Sequence, residues 1–242
     1  MSTPGQRLQA VGRVWAQLSR VDARLLLSML AVAFCVWAFF FLADAVTQQR
    51  TQSLDERVMR LLRDPGDLAK PVGPPWLLGV MRDLTSLGSA TVLVLFVLAV
   101  AGSLVARRQY HALALMLVAT AGGEALNLVL KDFFDRPRPD LALHLTQVNS
   151  PSFPSGHAME SAVIYFTLAA LLARLVQERA LKLYFLGLAA LFTFLIGLSR
   201  VYLGVHYPSD VLAGWTAGLA WAMLCWTVAS YLQRQGSVEP AK

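Results

Sequence analysis

The sequence predicts an all-α fold, an integral membrane bundle of six transmembrane helices with an amphipathic interfacial helix between the first two. Two features of composition indicate this class. The 242 residues are 56% hydrophobic and only 15% charged, whereas a soluble domain carries about 25% charged residues. The apolar residues also fall in long runs that are almost free of charge, and a helix that crosses a bilayer needs about 20 such residues.

Six apolar runs are predicted as spans, and each contains at most one charged residue. They are Leu25–Ala43, Leu84–Ala106, Gln109–Leu130, Ala158–Ala173, Leu183–Ser199 and Val211–Gln233. The fourth and fifth runs are short for a span, so we expect each to extend into its flanks. Because the chain shows no internal repeat, we interpret residues 1–242 as one domain, with a cytoplasmic segment at 1–24 and a cytoplasmic tail at 234–242.

The N-terminal third contains two further predicted elements. The first apolar run is longer than the apolar part of a secretory signal peptide, so we expect an uncleaved first span. After it, Ser53–Asp64 has the period of an amphipathic helix, with charged residues opposite an apolar face formed by Leu54, Val58, Leu61 and Leu62. Such a helix is expected to lie at the membrane interface.

The distribution of basic residues predicts the orientation. The net charge is +6, but the cations lie between apolar runs rather than in one patch, so we expect the bilayer and not nucleic acid as the partner. The two shortest inner loops, at 107–108 and 174–182, are basic, which favours both termini inside. The loops after the third and fifth spans then face outward, which in a bacterial inner membrane is the periplasm.

Three short motifs at the ends of the spans hold the residues that suggest chemistry. They are Lys131-x6-Arg138-Pro139, Pro154-Ser155-Gly156-His157 and Ser199-Arg200-x5-His206-x3-Asp210. Three cations brought together would repel one another unless an anion lies between them, and guanidinium and ammonium groups bind phosphate oxygens. Gly156 allows the backbone to approach a ligand closely, and a helix that begins there offers free N–H groups to an anion.

The two histidines suggest how a bound phosphate would react. His206 and Asp210 are four residues apart around Pro208, which suits the first turn of a helix. Asp210 can then accept a hydrogen bond from one ring nitrogen of His206, leaving the other free to attack. A second histidine, His157, would supply the opposite protonation state that a two-step transfer requires.

We expect neither a metal ion nor another cofactor. No set of Cys, His and carboxylate residues has the spacing of metal ligands. The two cysteines, Cys35 and Cys225, both lie inside apolar runs, where they are expected to act as small buried apolar residues.

Taken together, the three motifs resemble the signature of the type 2 phosphatidic acid phosphatases. These lipid phosphate phosphatases form a superfamily with glucose-6-phosphatase and vanadium haloperoxidases. The resemblance covers roughly residues 127–214 and the six-span layout. It implies an all-helical membrane fold and metal-independent phosphate hydrolysis.

The resemblance also implies a role for each residue of the signature. His206 would be the nucleophile that forms a phosphohistidine, oriented by Asp210. His157 would protonate the leaving oxygen and then activate water. The phosphoryl oxygens would be held by Lys131, Arg138, Arg200, Ser155 and Gly156.

The resemblance leaves the substrate open, because the signature contacts only the phosphate. Phosphatidylglycerophosphate, phosphatidic acid and undecaprenyl pyrophosphate are all candidates, and transfer of the phosphate to another lipid would use the same site. A non-catalytic lipid-binding or transport protein is disfavoured because both histidines are present. A haloperoxidase would need a water-soluble chain. The sequence does not predict the oligomeric state.

Three polar residues within or beside the predicted spans fall outside the signature. Glu124 and Asn127 share one face of the third span with Lys131, and Glu160 follows His157 by three residues. An ionisable residue inside a membrane span is a functional candidate. Glu124, Asn127 and Glu160 are therefore candidates for a second layer around the site. Glu124 would pair with another polar group in the bundle, whereas Glu160 would tune His157, contact a substrate headgroup or line a water-filled mouth.

Overall fold

The computed structural model of the protein describes residues 4–139, 144–146 and 150–234. Within these ranges the chain forms eight helices and one two-stranded antiparallel hairpin. The helices are α1 (Pro4–Thr47), α2 (Gln52–Leu61), α3 (Pro75–Ser86), α4 (Ala90–Ala106), α5 (Tyr110–Phe134), α6 (Gly156–Leu175), α7 (Arg179–Tyr202) and α8 (Pro208–Arg234), and the hairpin strands are β1 (Arg63–Asp64) and β2 (Asp67–Pro71). The predicted helical class is confirmed, although the small hairpin was not predicted.

The predicted spans correspond to helices, with one difference in the second. Within the described residues, five helices are long and apolar enough to cross a membrane: α1 from Leu25, α5, α6, α7 and α8. The sixth crossing requires α3 and α4 together, which meet at a bend of 45°. The predicted second span, Leu84–Ala106, is therefore divided between these two helices.

The division between α3 and α4 has a local cause that hydropathy does not reveal. Ser89 begins α4 as its N-cap, and its hydroxyl accepts a hydrogen bond from the N–H of Val92. Beside it, a Cβ on Gly88 would lie 2.5 Å from Cγ2 of Ile196 on α7, so the glycine allows α7 to approach the break closely. The residues on both sides remain apolar, and the run therefore looks continuous in the sequence.

The two ends of the chain differ from the prediction in one respect. Helix α1 begins at Pro4 rather than near Leu25, so the predicted cytoplasmic segment is helical where it is described. The predicted cytoplasmic tail lies outside the described residues from position 235 onward.

Helix α2 is present where the amphipathic pattern predicts it, and two residues of its predicted apolar face, Val58 and Leu62, pack against the core. Leu54 and Leu61, on the predicted apolar face, are 63% and 68% exposed, as expected for side chains that meet lipid. Asp55 and Arg63, which the pattern assigns to the polar face, are buried together with Met59. Asp55 is buried because it is bonded to residues that precede and begin α8, as described below.

Close packing of α6 against α8 fixes the start of α6. A Cβ on Gly214 would lie 2.6 Å from the carbonyl oxygen of Ser155, and one on Gly218 would lie 2.4 Å from that of Met159. Glycines four residues apart allow two helix backbones to approach closely within a membrane. The beginning of α6, which carries the Pro154–His157 motif, is thereby held against the beginning of α8.

Candidate active site

The structure brings the three sequence motifs together at one end of the bundle. Arg138 Nη1 lies 3.3 Å from Nε2 of His206 and donates to the carbonyl of Val205 at 2.6 Å. The backbone N–H of Ser155 donates to the carbonyl of Asp210 at 3.0 Å. The loop after α5, the start of α6 and the connection from α7 to α8 therefore form one site.

His206 is held so that its two ring nitrogens face different groups. The side chain is only 2% exposed. Its Nδ1 lies 2.8 Å from the carbonyl oxygen of Ser152 and 3.6 Å from Oδ2 of Asp210. Because a carbonyl can only accept, Nδ1 carries the proton and Nε2 presents its lone pair toward Arg138. The predicted contact with Asp210 is present, but the carbonyl of Ser152 is the closer partner.

The surroundings of His206 keep its imidazole neutral. Burial, followed by the positive charges of Arg200, Arg138 and Lys131, holds the pKa of His206 well below its usual range. A neutral imidazole with a free Nε2 is the nucleophilic form of histidine. The same three cations that would bind an anion therefore also prepare the ring to attack it.

The cationic cage around Nε2 consists of Lys131, Arg138, Arg200 and the hydroxyl of Ser155. Lys131 Nζ donates to the carbonyl of Pro151 at 2.7 Å. The guanidinium groups are held by partners on neighbouring elements: Arg138 Nε by the carbonyl of Ser150 at 2.6 Å, and Arg200 Nη1 by Oγ1 of Thr85 at 3.0 Å. These contacts fix the positive groups before any ligand binds.

Two buried polar atoms of the cage lack a partner among the described residues, namely Nε of Arg200 and Oγ of Ser155. Buried polar atoms are nearly always hydrogen-bonded. Both atoms can donate, and the first N–H groups of α6, beginning at Gly156, have no partner within the helix. Such a set of donors suits an anion with several acceptor oxygens, such as a phosphoryl group.

His157 lies in the first turn of α6 and is half-buried, unlike His206. Its ring packs beside the break between α3 and α4, because a Cβ on Gly88 would lie 3.4 Å from Cδ2 of His157. His157 also interacts electrostatically with His206 and with the cations of the cage. The second histidine is therefore placed near His206, at the more open side of the site.

A buried network that the sequence analysis missed holds Asp210. Arg136 Nη1 donates to Oδ1 of Asp210 at 2.5 Å, and its Nη2 donates to Oδ2 of Asp55 at 3.0 Å. Asp55 also accepts from the N–H of Ser209 at 3.1 Å, while the N–H of Tyr207 donates to Asp210 at 2.9 Å. Asp210 is therefore fixed from the side opposite His206, and α2 is bonded to the start of α8.

The sequence contained only a weak indication of this network. Arg136 is visible in the Arg136-Pro137-Arg138-Pro139 turn, but the motif spacing selects Arg138. Asp55 carried no indication, because the amphipathic pattern places it on a polar face. A buried carboxylate becomes apparent only when its partner, 81 residues away in the chain, is placed beside it.

The three polar residues outside the signature also meet. Asn127 Nδ2 donates to Oε1 of Glu160 at 3.0 Å, and Glu160 interacts with both Glu124 and Lys131. Asn127 is buried, Glu160 is half-buried and Glu124 is exposed on α5. They therefore form a polar strip from the outer surface of α5 to the cationic cage.

Among the residues that the structure describes, no group of three or more His, Cys, Asp or Glu side chains is arranged to hold a metal ion. The positive charge of the site is supplied by side chains.

Comparison with known proteins identifies the family. The sequence model of the PAP2 superfamily matches residues 112–234. Phosphatidylglycerophosphatase B of Bacillus subtilis is 37% identical over 184 residues, which cover 75% of this chain and 86% of that protein. Decaprenylphosphoryl-5-phosphoribose phosphatase of Mycobacterium tuberculosis is 33% identical over 153 residues, or 61% of this chain and 77% of the relative.

Solved structures show the same relationship. The crystal structure of a transmembrane PAP2 type phosphatidylglycerolphosphate phosphatase from Bacillus subtilis superimposes with a TM-score of 0.74 at 32% identity, covering 84% of this chain and 98% of that one. Aquifex aeolicus LpxE gives a TM-score of 0.55 at 26% identity, with 72% and 94% covered. The chain therefore belongs to the PAP2 superfamily and is a multi-pass membrane phosphatase.

Proposed function

We propose that this phosphatase hydrolyses the terminal phosphate of a membrane lipid through a phosphohistidine on His206, without a metal ion. The observation that carries the proposal is the position of Nε2 of His206, 3.3 Å from Arg138 inside a cage with two further cations. A phosphoryl group held by that cage would lie against a neutral nucleophile. The remaining geometry supports a role for each neighbouring residue.

In the first step, Nε2 of His206 attacks phosphorus and the bond from phosphorus to the leaving oxygen breaks. Arg138, Arg200 and Lys131 stabilise the charge on the non-bridging oxygens, which is the main requirement of phosphoryl transfer. The imidazole becomes positively charged as the bond to phosphorus forms. The carbonyl of Ser152 and the carboxylate of Asp210, both on the Nδ1 side, stabilise that charge.

His157 handles the protons in both steps. It donates one to the leaving oxygen, so that the lipid departs as an alcohol. In the second step it takes a proton from the water that attacks the phosphohistidine, which releases inorganic phosphate and restores His206. Its half-buried position at the open side of the site is consistent with contact to both the leaving group and water.

Phosphatidylglycerophosphate is the substrate that we favour, because the relative with 37% identity is a phosphatidylglycerophosphatase. Phosphatidic acid and undecaprenyl pyrophosphate are the alternatives, and transfer to another lipid would differ only in the acceptor that replaces water. We place the protein in a bacterial inner membrane, with the site on the periplasmic face. The support is the basic character of the short loops at 107–108 and 174–182.

The test is phosphate release by purified protein in detergent from these three lipids, in the presence of EDTA. We expect turnover to persist, with phosphatidylglycerophosphate preferred, and an acid-quenched sample to contain acid-labile phosphate that is absent from His206→Ala. With radiolabelled substrate the label should appear as inorganic phosphate, whereas label in a second lipid would indicate transfer. Complete loss of activity on chelation, restored by Mg²⁺, would contradict the metal-free mechanism.

A further inference from the structure

We propose that Glu124, Asn127 and Glu160 bind a hydroxyl group of the leaving alcohol, and so select lipids whose phosphate is carried by a hydroxylated headgroup such as phosphoglycerol. We name these three residues the acceptor strip. This inference rests on the proposed function, because it requires that the cationic cage holds a lipid phosphate and that His157 protonates the leaving oxygen.

The acceptor strip borders the side of the site from which the leaving group departs. Asn127 and Lys131 are one turn apart on α5, and Lys131 interacts with Glu160 across the gap to α6. Glu160 follows His157 by three residues, so the two side chains lie on the same face of α6. A substituent on the leaving alcohol, next to the oxygen that His157 protonates, would therefore meet Glu160 and Asn127.

The strip offers a buried acceptor that has no hydrogen-bond partner among the described residues. Asn127 is 3% exposed and uses its Nδ2 to donate to Oε1 of Glu160, while its Oδ1 has no partner among the described residues. The point where Gly156 would carry a Cβ lies 3.0 Å from Nδ2 and 3.5 Å from Oδ1 of Asn127, and 3.3 Å from Oε1 of Glu160. Glu160 therefore holds the Asn127 amide with its Oδ1 unpaired, beside a residue that has no side chain of its own. Because an unpaired buried acceptor is costly, the strip favours a ligand that donates a hydrogen bond.

The candidate substrates differ in whether they have a donor at this place. Phosphoglycerol carries a hydroxyl on the carbon next to the phosphate ester. Phosphatidic acid carries an acyl ester there and has no proton to donate. A polyprenyl pyrophosphate carries a second phosphate at this place instead of a hydroxyl group. Glu124, exposed on α5, extends the strip toward the surface from which a lipid would enter.

The experiment compares two lipids that differ only in that hydroxyl: phosphatidylglycerophosphate and its 2′-deoxy analogue built on propane-1,3-diol. We expect the wild-type kcat/KM to favour the hydroxylated lipid by roughly tenfold, as for a buried acceptor that loses its hydrogen bond. Glu160→Met should reduce kcat/KM more for the hydroxylated lipid than for the deoxy analogue, and Glu160→Gln, which keeps one acceptor oxygen, should retain part of the preference. Glu178→Met, in the exposed α6–α7 connection, is the matched control and should leave the preference unchanged.

Each other outcome has a definite meaning. Equal turnover of the two lipids by the wild type, or an equal loss on both in Glu160→Met and Glu160→Gln, overturns the acceptor strip while the phosphatase function stands. Turnover of p-nitrophenyl phosphate reports whether each variant is folded. If the wild type hydrolyses that small ester but neither lipid, the proposed lipid substrate fails, and the inference fails with it.

Discussion

His206 and His157 lie in the same site and interact electrostatically, but their surroundings differ. His206 is enclosed, with its Nδ1 held by Ser152 and its Nε2 facing a cation. His157 is half-buried at the open side, next to the glycine that separates α3 from α4. An enclosed, neutral ring suits a nucleophile, whereas an open one suits exchange of protons with substrate and water.

Replacing the two histidines should therefore have different effects. His206→Ala removes the nucleophile, so turnover should be lost with every substrate. His157→Ala removes only the proton donor, which is typically worth ~10²–10⁴-fold, and the defect should shrink for p-nitrophenyl phosphate because its leaving group needs no proton. Steady-state rates on a lipid phosphate and on that ester provide the measurement. Equal losses of activity for both variants on both substrates would contradict the assignment of His206 as nucleophile and His157 as proton donor.

The ionisation of His206 should be shifted to acid pH. Because its pKa is held well below 6.5 by burial and by neighbouring cations, the folded protein should keep a neutral ring at a pH where the unfolded chain takes up a proton. Stability should therefore fall as pH drops below about 6.5. NMR of ¹⁵N-histidine protein, assigned by comparison with His206→Ala, should show an Nδ1–H ring at pH 6. Protonation of this ring near 6.5 would contradict the proposed environment.

For individual residues, the spacing of the motifs predicted which side chains meet in the site, but not the hydrogen-bond partners that hold them there. The motifs select His206, Asp210 and Arg138 because their separation along the chain is fixed. The carbonyl of Ser152 could not be selected, because a backbone acceptor has no residue-type signature. The role of Arg136 could not be predicted, because its partners Asp210 and Asp55 are distant in sequence.

At the scale of elements, the close approach of α6 and α8 positions the catalytic loop. Gly218 faces the backbone of α6, where a Cβ would lie 2.4 Å from the carbonyl oxygen of Met159. A backbone carbonyl cannot relieve such a clash by changing rotamer, as a long side chain can. The start of α6 therefore depends on small residues of α8 that make no contact with the chemistry.

Gly218→Ala should force the two helices apart. Overpacking costs about 1–3 kcal/mol, so the melting temperature should fall, and kcat should fall because the Pro154–His157 motif moves relative to His206. Gly187→Ala on α7, where a Cβ would have no neighbour within 4 Å, is the matched control. Thermal unfolding and p-nitrophenyl phosphate turnover measured on both variants test this, and identical behaviour of the two would refute the close contact.

The membrane spans were predicted from the sequence, whereas the bend between α3 and α4 and the contacts of α2 were not. Long uncharged runs predict spans reliably, because a helix is the only way to satisfy the backbone of such a segment in lipid. The bend between α3 and α4 remained hidden, because the residues on both sides of the Ser89 N-cap are apolar. The burial of Asp55 on α2 was not predicted, because its partner Arg136 is distant in sequence.

For the whole molecule, the antiparallel order of the spans places all three motifs, α2 and the hairpin at one end. The connections at the opposite end, residues 107–108 and 174–182, are short and basic. From the positive-inside rule we expect these connections to face the cytoplasm. This expectation rests on the distribution of charge along the chain and not on the folded structure.

The orientation can be tested with single cysteines in a variant whose Cys35 and Cys225 are replaced by serine. Ala69→Cys lies on the exposed hairpin, and Gln177→Cys lies on the exposed connection at the other end. A membrane-impermeant maleimide added to intact spheroplasts should label the first, and should label the second only after lysis. The reverse pattern would place the active site in the cytoplasm.

The buried contact between Asp55 and Arg136 means that losing activity and losing the fold are separable events. Helix α2 is bonded to the carboxylate network of Asp210, yet it is not one of the spans that make up the bundle. A detergent or headgroup that draws α2 away should inactivate the enzyme while the bundle stays intact. The temperature of half-inactivation should then lie below that of unfolding, and Asp55→Asn should widen the interval. If the temperatures of half-inactivation and of unfolding coincide in both the wild type and Asp55→Asn, α2 and the bundle unfold as one unit.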